Sequence, residues 1–271
     1  MLRPGGTMMK LAGAIDVVVR LRRGLDLGAA SFAGQEFAWL TPLGEDAPTV
    51  AGDWWASWGG GLMTTAGLDN VGVPTDGLPL HGTYTYLHAQ SVEIDGNRIS
   101  GTVADSRGVV VHRQIVNDPG RGHLRLTDST ANTSAEPQPA PLLYHCNLLW
   151  GNVDIDSEAV EPRDAASAAE DWRILGTGGE RVYEHLGAQR SRVRVGDLTV
   201  EIRSSLPRLW QWVHPQRGVV GIEPANCSVQ GRAFDASVGR LPILQPGEVR
   251  ETSLDIIVVE AAPADGAAGR V

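Results

Sequence analysis

Most of this chain alternates between apolar and polar residues in short runs, each broken by glycine, proline, asparagine or aspartate. "AIDVVVRL" (14–21) is a β-branched run closed by "RRG", and "FAGQEFAWL" (32–40) alternates up to Thr41-Pro42. "QSVEIDGNRISGTVAD" (90–105) predicts a hairpin, with two alternating runs around Asp95-Gly96-Asn97. "RGVVVHRQIVND" and "HLRLTDSTAN" flank Pro119-Gly120, and "RVRVGDLTVEIRSS" turns at Gly196-Asp197. "LLYHCNLLW" (142–150), "VVGIEPANCSV" (219–229) and "VRETSLDIIVVE" (249–260) complete the strand-like runs. Only "EAVEPRDAASAAEDW" (158–172) has a helical pattern, and Pro162 limits it. Helices do not alternate with the strands, which argues against a parallel α/β sheet. The expectation is all-β: one large antiparallel sandwich of two sheets, with a concave face that loops can wall into a pocket. One domain is expected over 1–271, with the sandwich from about 15 to 260 and loose ends at 1–14 and 261–271.

Composition narrows the functions. The 271 residues carry a net charge of −9, a poor match for a phosphate backbone, so nucleic acid is not the expected partner. No run approaches the ~18 apolar residues of a membrane helix, and the N-terminal stretch lacks the apolar core of a signal peptide. Cys146 and Cys227 are too few for a disulfide framework and suit a reducing, cytoplasmic setting. Exposed sheet edges allow a homodimer without requiring one. Eight tryptophans against three phenylalanines is an unusual ratio. An indole offers a flat apolar face and one N–H donor, which suits a sugar ring with apolar C–H faces and polar edges, although tryptophan is also simply large core filler.

Familiar catalytic signatures are missing. G-x-S-x-G, G-x-G-x-x-G and a phosphate-binding loop do not occur, and no helix is expected after the glycine-rich "GDWWASWGGGLMTTAGLDN" to aim N–H groups at phosphate. The seven histidines form neither H-x-H nor H-x-x-x-H, so no metal site is predicted. Three segments stand out. His81 follows proline in "PLHGTYTY", His145 lies in the apolar "LLYHCNLLW", and Glu223 follows "VVGI". Each has a bland reading, as a turn histidine, a satisfied core histidine and a loop anchor. Together they offer a carboxylate whose pKa burial would raise and a histidine to match it, the elements of acid–base catalysis near neutral pH.

The segments "RRGLDLGAASFAGQEFAWLTP", "GGGLMTTAGLDNVG", "LPLHGTYT", "PLLYHCNLLWG", "GIEPANCSVQGRA" and "LPILQPGEV", in that order, resemble the aldose 1-epimerase (galactose mutarotase)-like superfamily over roughly residues 20–258. The resemblance implies a β-supersandwich that interconverts sugar anomers without a cofactor. It implies that Glu223 removes the proton of the anomeric hydroxyl, that His145 protonates the ring oxygen and that His81 binds sugar hydroxyls. Relatives carry an arginine upstream of the "HG" histidine; here residues 58–72 have none, and Arg23 is the candidate substitute. The relatives' aspartate between acid and base has no clear counterpart, although Trp212 lies near the expected region. Asp69, Asn70, Asn147 and Asn226 complete the expected hydroxyl contacts. The alternatives are a sandwich that binds a carbohydrate without turnover, and a sugar isomerase or epimerase on the same fold.

Overall fold

The computed structural model describes residues 7–49, 53–155 and 179–261. The helical pattern expected at 158–172 lies outside them. Two antiparallel sheets dominate. The eight-stranded sheet runs, in spatial order, Asn152–Ile155, Arg190–Val195, Leu198–Ser204, Val249–Glu260, His123–Asn132, Val109–Asn117, Arg98–Ala104 and Gln90–Asp95. The five-stranded sheet runs Arg181–Leu186, Arg208–His214, Val219–Ala225, Leu142–Leu149 and Thr64–Gly67.

Beyond the expected two sheets there is a four-stranded N-terminal sheet and a small pair, Gln138–Pro139 with Ile243–Leu244. Met8–Leu11 belongs to the N-terminal sheet, in a stretch expected to be loose. Its backbone pairs with Val17–Arg20, which the runs flanking Gly13 permit. "FAGQEFAWL" is not one strand. The chain reverses at Ala33-Gly34, both in the left-handed region, and Gln35–Glu36 pairs back on Ser31–Phe32.

Hairpins form where the turn residues stand. Asp95 pairs with Arg98 across Gly96-Asn97, and Val195 pairs with Leu198 across Gly196-Asp197. Period-two alternation then assigns each strand's faces. Tyr144, Cys146 and Leu148 join Val220 and Ile222 in a core shared with Val111, Ile115, Leu126, Leu254 and Ile256 of the eight-stranded sheet. Leu143, Trp210, Trp212, Val219 and Ala225 point the other way, into a second, tryptophan-rich cluster. The five-stranded sheet is therefore buried on both faces, which explains why Leu142–Leu148 reads as a continuous buried run.

A fully buried polar network crosses the main core. Arg113 donates from Nε and Nη2 to the two oxygens of Asp128 at 2.8 and 2.7 Å, and from Nη1 to Thr65 Oγ1 at 2.9 Å. The Tyr144 hydroxyl donates to Asp128 at 2.8 Å, and Asp26 accepts from the Thr65 backbone N–H and hydroxyl. This network ties the back of the five-stranded sheet to the eight-stranded one.

Candidate active site

The site grows from the sheet register. Leu143 pairs with Ala225, and Asn147 with Gly221, so His145 falls opposite Glu223 on the neighbouring strand. Both side chains project from the tryptophan-rich face. His145 Nε2 stands 3.2 Å from Glu223 Oε1, with both side chains at most 5% exposed. No hydrogen bond joins them, and Glu223 Oε1 and His145 Nδ1 lack partners among the described residues. A buried polar atom without a partner calls for an explanation, and at a cavity wall a ligand can supply one.

His81 reaches the same place from a loop. Its backbone lies in the left-handed region (φ 60°), held by a bond from its N–H to Gly72 O at 2.9 Å and one from Gly67 N to its carbonyl at 3.0 Å. Such strain in a non-glycine residue clusters at functional sites. The Gly72 N–H donates to Nδ1 at 3.4 Å, so the neutral ring carries its proton on Nε2. The His81 and His145 ring centres are 5.5 Å apart.

Tryptophans build the walls. A one-turn helix, Trp54–Ser57, begins at Asp53, whose side chain accepts the Trp55 N–H at 2.9 Å. It was not expected within the glycine-rich stretch, because its apolar face is a tryptophan cluster rather than a periodic stripe. Trp54 stacks on Trp58 at 5.0 Å, and Trp58 lies 5.2 Å from the His145 ring. Trp58 Nε1 donates to Thr64 Oγ1 at 3.0 Å, and Thr64 pairs with His145 across the sheet. Trp212 packs edge-on to His145 at 5.4 Å. Its indole N–H donates to Glu180 at 2.5 Å. These groups enclose a cavity of about 130 Å³ lined by Trp54, Trp55, Trp58, Trp212, His81, His145, Glu180 and Glu223, with Leu80, Val182 and Val229.

Burial controls the protonation. It pushes the Glu223 carboxyl up to about 8, with the nearby Glu180 adding to the rise. It lowers His81 to about 4, and it holds His145 well below the usual imidazole range, helped by His81 and opposed by Asn147. Burial also raises Glu180, against the bond from Trp212. At neutral pH burial therefore keeps the labile proton of the pair on Glu223 and leaves His145 neutral.

Of the residues expected at the site, His81, His145, Glu223 and Trp212 line the cavity; the other five do not. Arg23 is buried, its guanidinium donating to the carbonyls of Pro48 and of Ser57 (2.6 Å). It braces the loop behind the helix rather than reaching a ligand. Asp69 accepts from Asn70 N, Thr83 N and Thr83 Oγ1. Asn70 donates to Val73 O and Pro79 O and accepts from Arg232 N. Both anchor the His81 loop. Asn147 shares the His145 face but donates to Gly61 O and His145 O. Asn226 bridges Leu142 N and Ala140 O. These polar side chains satisfy backbone groups near the site instead of facing the cavity. His185 bonds Gln211, and Trp150 is half exposed.

Sequence reasoning passed over Glu180 and the individual roles of Trp54, Trp55 and Trp58. "DWWASW" carried a signal in its density of indoles. Glu180 carried none, because its place depends on the strand at 181–186 lying beside Trp212, the partner of Val182. Among the described residues, no group of three or more histidine, cysteine, aspartate or glutamate side chains is placed to hold a metal ion, and no helix is long and apolar enough to cross a membrane.

Comparison with known proteins bears on the fold of the chain. A provisionally assigned aldose 1-epimerase from Klebsiella pneumoniae superposes with a TM-score of 0.71 at 20% identity, over 91% of this chain and 77% of that one. A second such protein, from Escherichia coli K12, gives 0.67 at 12%, over 94% and 99%. An aldose epimerase homologue from Caenorhabditis elegans gives 0.64 at 14%, over 94% and 99%. At these identities the likeness establishes the galactose mutarotase-like sandwich fold. No curated protein matches the sequence. The model of the domain of unknown function DUF4432 matches residues 5–258, and the chain belongs to that family.

Proposed function

We propose that the cavity binds a monosaccharide and interconverts its anomers by acid–base ring opening. The observation that carries this reading is the 3.2 Å approach of His145 and Glu223 on one wall of a tryptophan-lined cavity. The hydroxyl oxygen and the ring oxygen of a hemiacetal are bonded to the same carbon. An acid and a base side by side therefore serve both at once. The pair's one labile proton moves from Glu223 to His145. The Glu223 carboxylate then takes the proton of the anomeric hydroxyl while His145 returns its proton to the ring oxygen, so the pair ends with the proton back on Glu223. The C–O bond breaks, the aldehyde rotates, and reversal of the two transfers closes the ring on either face. His81, with its proton on Nε2, donates to a sugar hydroxyl. Glu180 accepts one, and the indoles pack the C–H faces. This chemistry needs no cofactor.

NMR exchange between α and β anomers across a panel of sugars tests the proposal, with Glu223→Gln as control. The native protein is expected to accelerate exchange on at least one sugar, and the variant to lose on the order of 10²–10⁴ of that rate. No acceleration on any sugar, or an undiminished rate in the variant, overturns it. A second reading, binding without turnover, is favoured by Arg23, whose guanidinium is committed to backbone carbonyls away from the cavity. Calorimetry decides for it if a sugar binds tightly and its anomers do not exchange.

A further inference from the structure

Gly221 lies in the middle of a wholly buried strand, between Val219-Val220 and Ile222, where a β-branched residue would pack best. A strand-interior glycine weakens the sheet and marks a place where something approaches the backbone closely. Gly221 is not among the glycines with positive φ, so its backbone conformation does not require glycine. The requirement comes from above its Cα. A Cβ there would stand 2.8 Å from Glu223 Oε1, 3.1 Å from Trp212 Cε3 and 3.2 Å from His145 Cε1. Three groups of the cavity converge on the space that this residue leaves open. The tightest contact is the far end of the Glu223 side chain.

We propose that Gly221 is a positioning residue of this site: its missing side chain leaves the space into which the Glu223 carboxylate folds back to meet His145. The inference rests on the reading of Glu223 and His145 as base and acid, and it adds the element that sets their spacing. Register puts Gly221 between Asn147 and Trp212 on the cavity face, one alternation before Glu223. A methyl group at 221 would swing the flexible carboxylate off His145 while leaving the strand's hydrogen bonds in place.

The test is a set of variants of the full-length protein. Glutamate-labelled protein is titrated by carboxyl 13C NMR, with the Glu223 signal assigned by its loss in Glu223→Gln. In Gly221→Ala the Glu223 midpoint is expected to move by at least about one unit from the native value. Anomer exchange is expected to fall in kcat by roughly tenfold or more with KM within about threefold, as displacement of a reacting group requires. In the Gly221→Ala background, Glu223→Asp, whose shorter side chain avoids the methyl group, should cost several-fold less than in the native background. If Gly221→Ala lowers Tm, adding Glu223→Ala should restore it. An unchanged titration midpoint, additive kinetics, or a Tm that Glu223→Ala does not restore overturns the proposal. The titration and the Tm are read without turnover. An absence of exchange on every sugar therefore counts against the catalytic reading alone.

Discussion

At the scale of single residues, Glu223 combines the role proposed for it with a cost in stability. Its folded pKa, about 8, lies above the ordinary 4.5 because burial disfavours the carboxylate. The folded state therefore holds this proton more tightly than the unfolded state. The resulting stabilisation is fully present below about 4.5 and is lost as pH rises through about 8. Glu223→Gln removes that penalty. Chemical denaturation is expected to show the variant more stable than the native protein at pH 9, by on the order of 1–4 kcal/mol, and nearly equal at pH 4. Under the proposed mechanism the same proton governs the rate, since the reacting pair needs one proton between its carboxylate and its imidazole. Anomer exchange should therefore fall as pH rises through about 8. A native rate flat between about pH 6 and pH 10 would show that Glu223 does not take part as the base. His81, at about 4, stays neutral throughout that window and adds no limb to it.

At the scale of elements, strand alternation was the most legible feature. "LLYHCNLLW" predicts that His145 and Asn147 share a face, and they do; it does not predict that Asn147 turns its amide to Gly61 O. A side chain's hydrogen-bond partner depends on which loop packs over it, and the chain segment around Gly61 is 86 residues away. The tryptophan wall has the same character. Trp58 is held by Thr64, the cross-strand neighbour of His145, so the wall and His145 share one support. Thr64→Val keeps the shape and leaves the buried Trp58 N–H without its acceptor. The expected loss is about 1–3 kcal/mol in stability, together with weaker sugar binding by calorimetry. Full retention of both would show that the indole is held by packing alone.

At the scale of the whole molecule, the Arg113–Asp128 pair links the two main sheets directly behind the His145 strand through Tyr144. Arg113 is fully buried, and removing the charge of its partner leaves a guanidinium uncompensated in the core. Asp128→Asn is expected to cost about 3–5 kcal/mol in thermal or denaturant unfolding. Replacing Arg113, Asp128 and Tyr144 together by apolar residues of similar volume should cost much less. Equal losses from the two changes would mean that packing, rather than the charge pair, carries the stability.

Local patterning in the chain was enough to determine the all-β class and most hairpins and to single out His145 and Glu223, whose roles as acid and base only the family resemblance implies. Alternation and turn propensity act between residues close in sequence, so they can be read along it. The tertiary structure decided the rest. It set the register that faces His145 with Glu223, spent Arg23, Asp69, Asn70 and Asn226 on backbone groups, and brought Glu180 to Trp212 and the Trp54–Trp58 turn over the sheet. Each of these depends on contacts between segments distant in the chain. Burial and pairing there are set by what packs against a residue, not by its sequence neighbours.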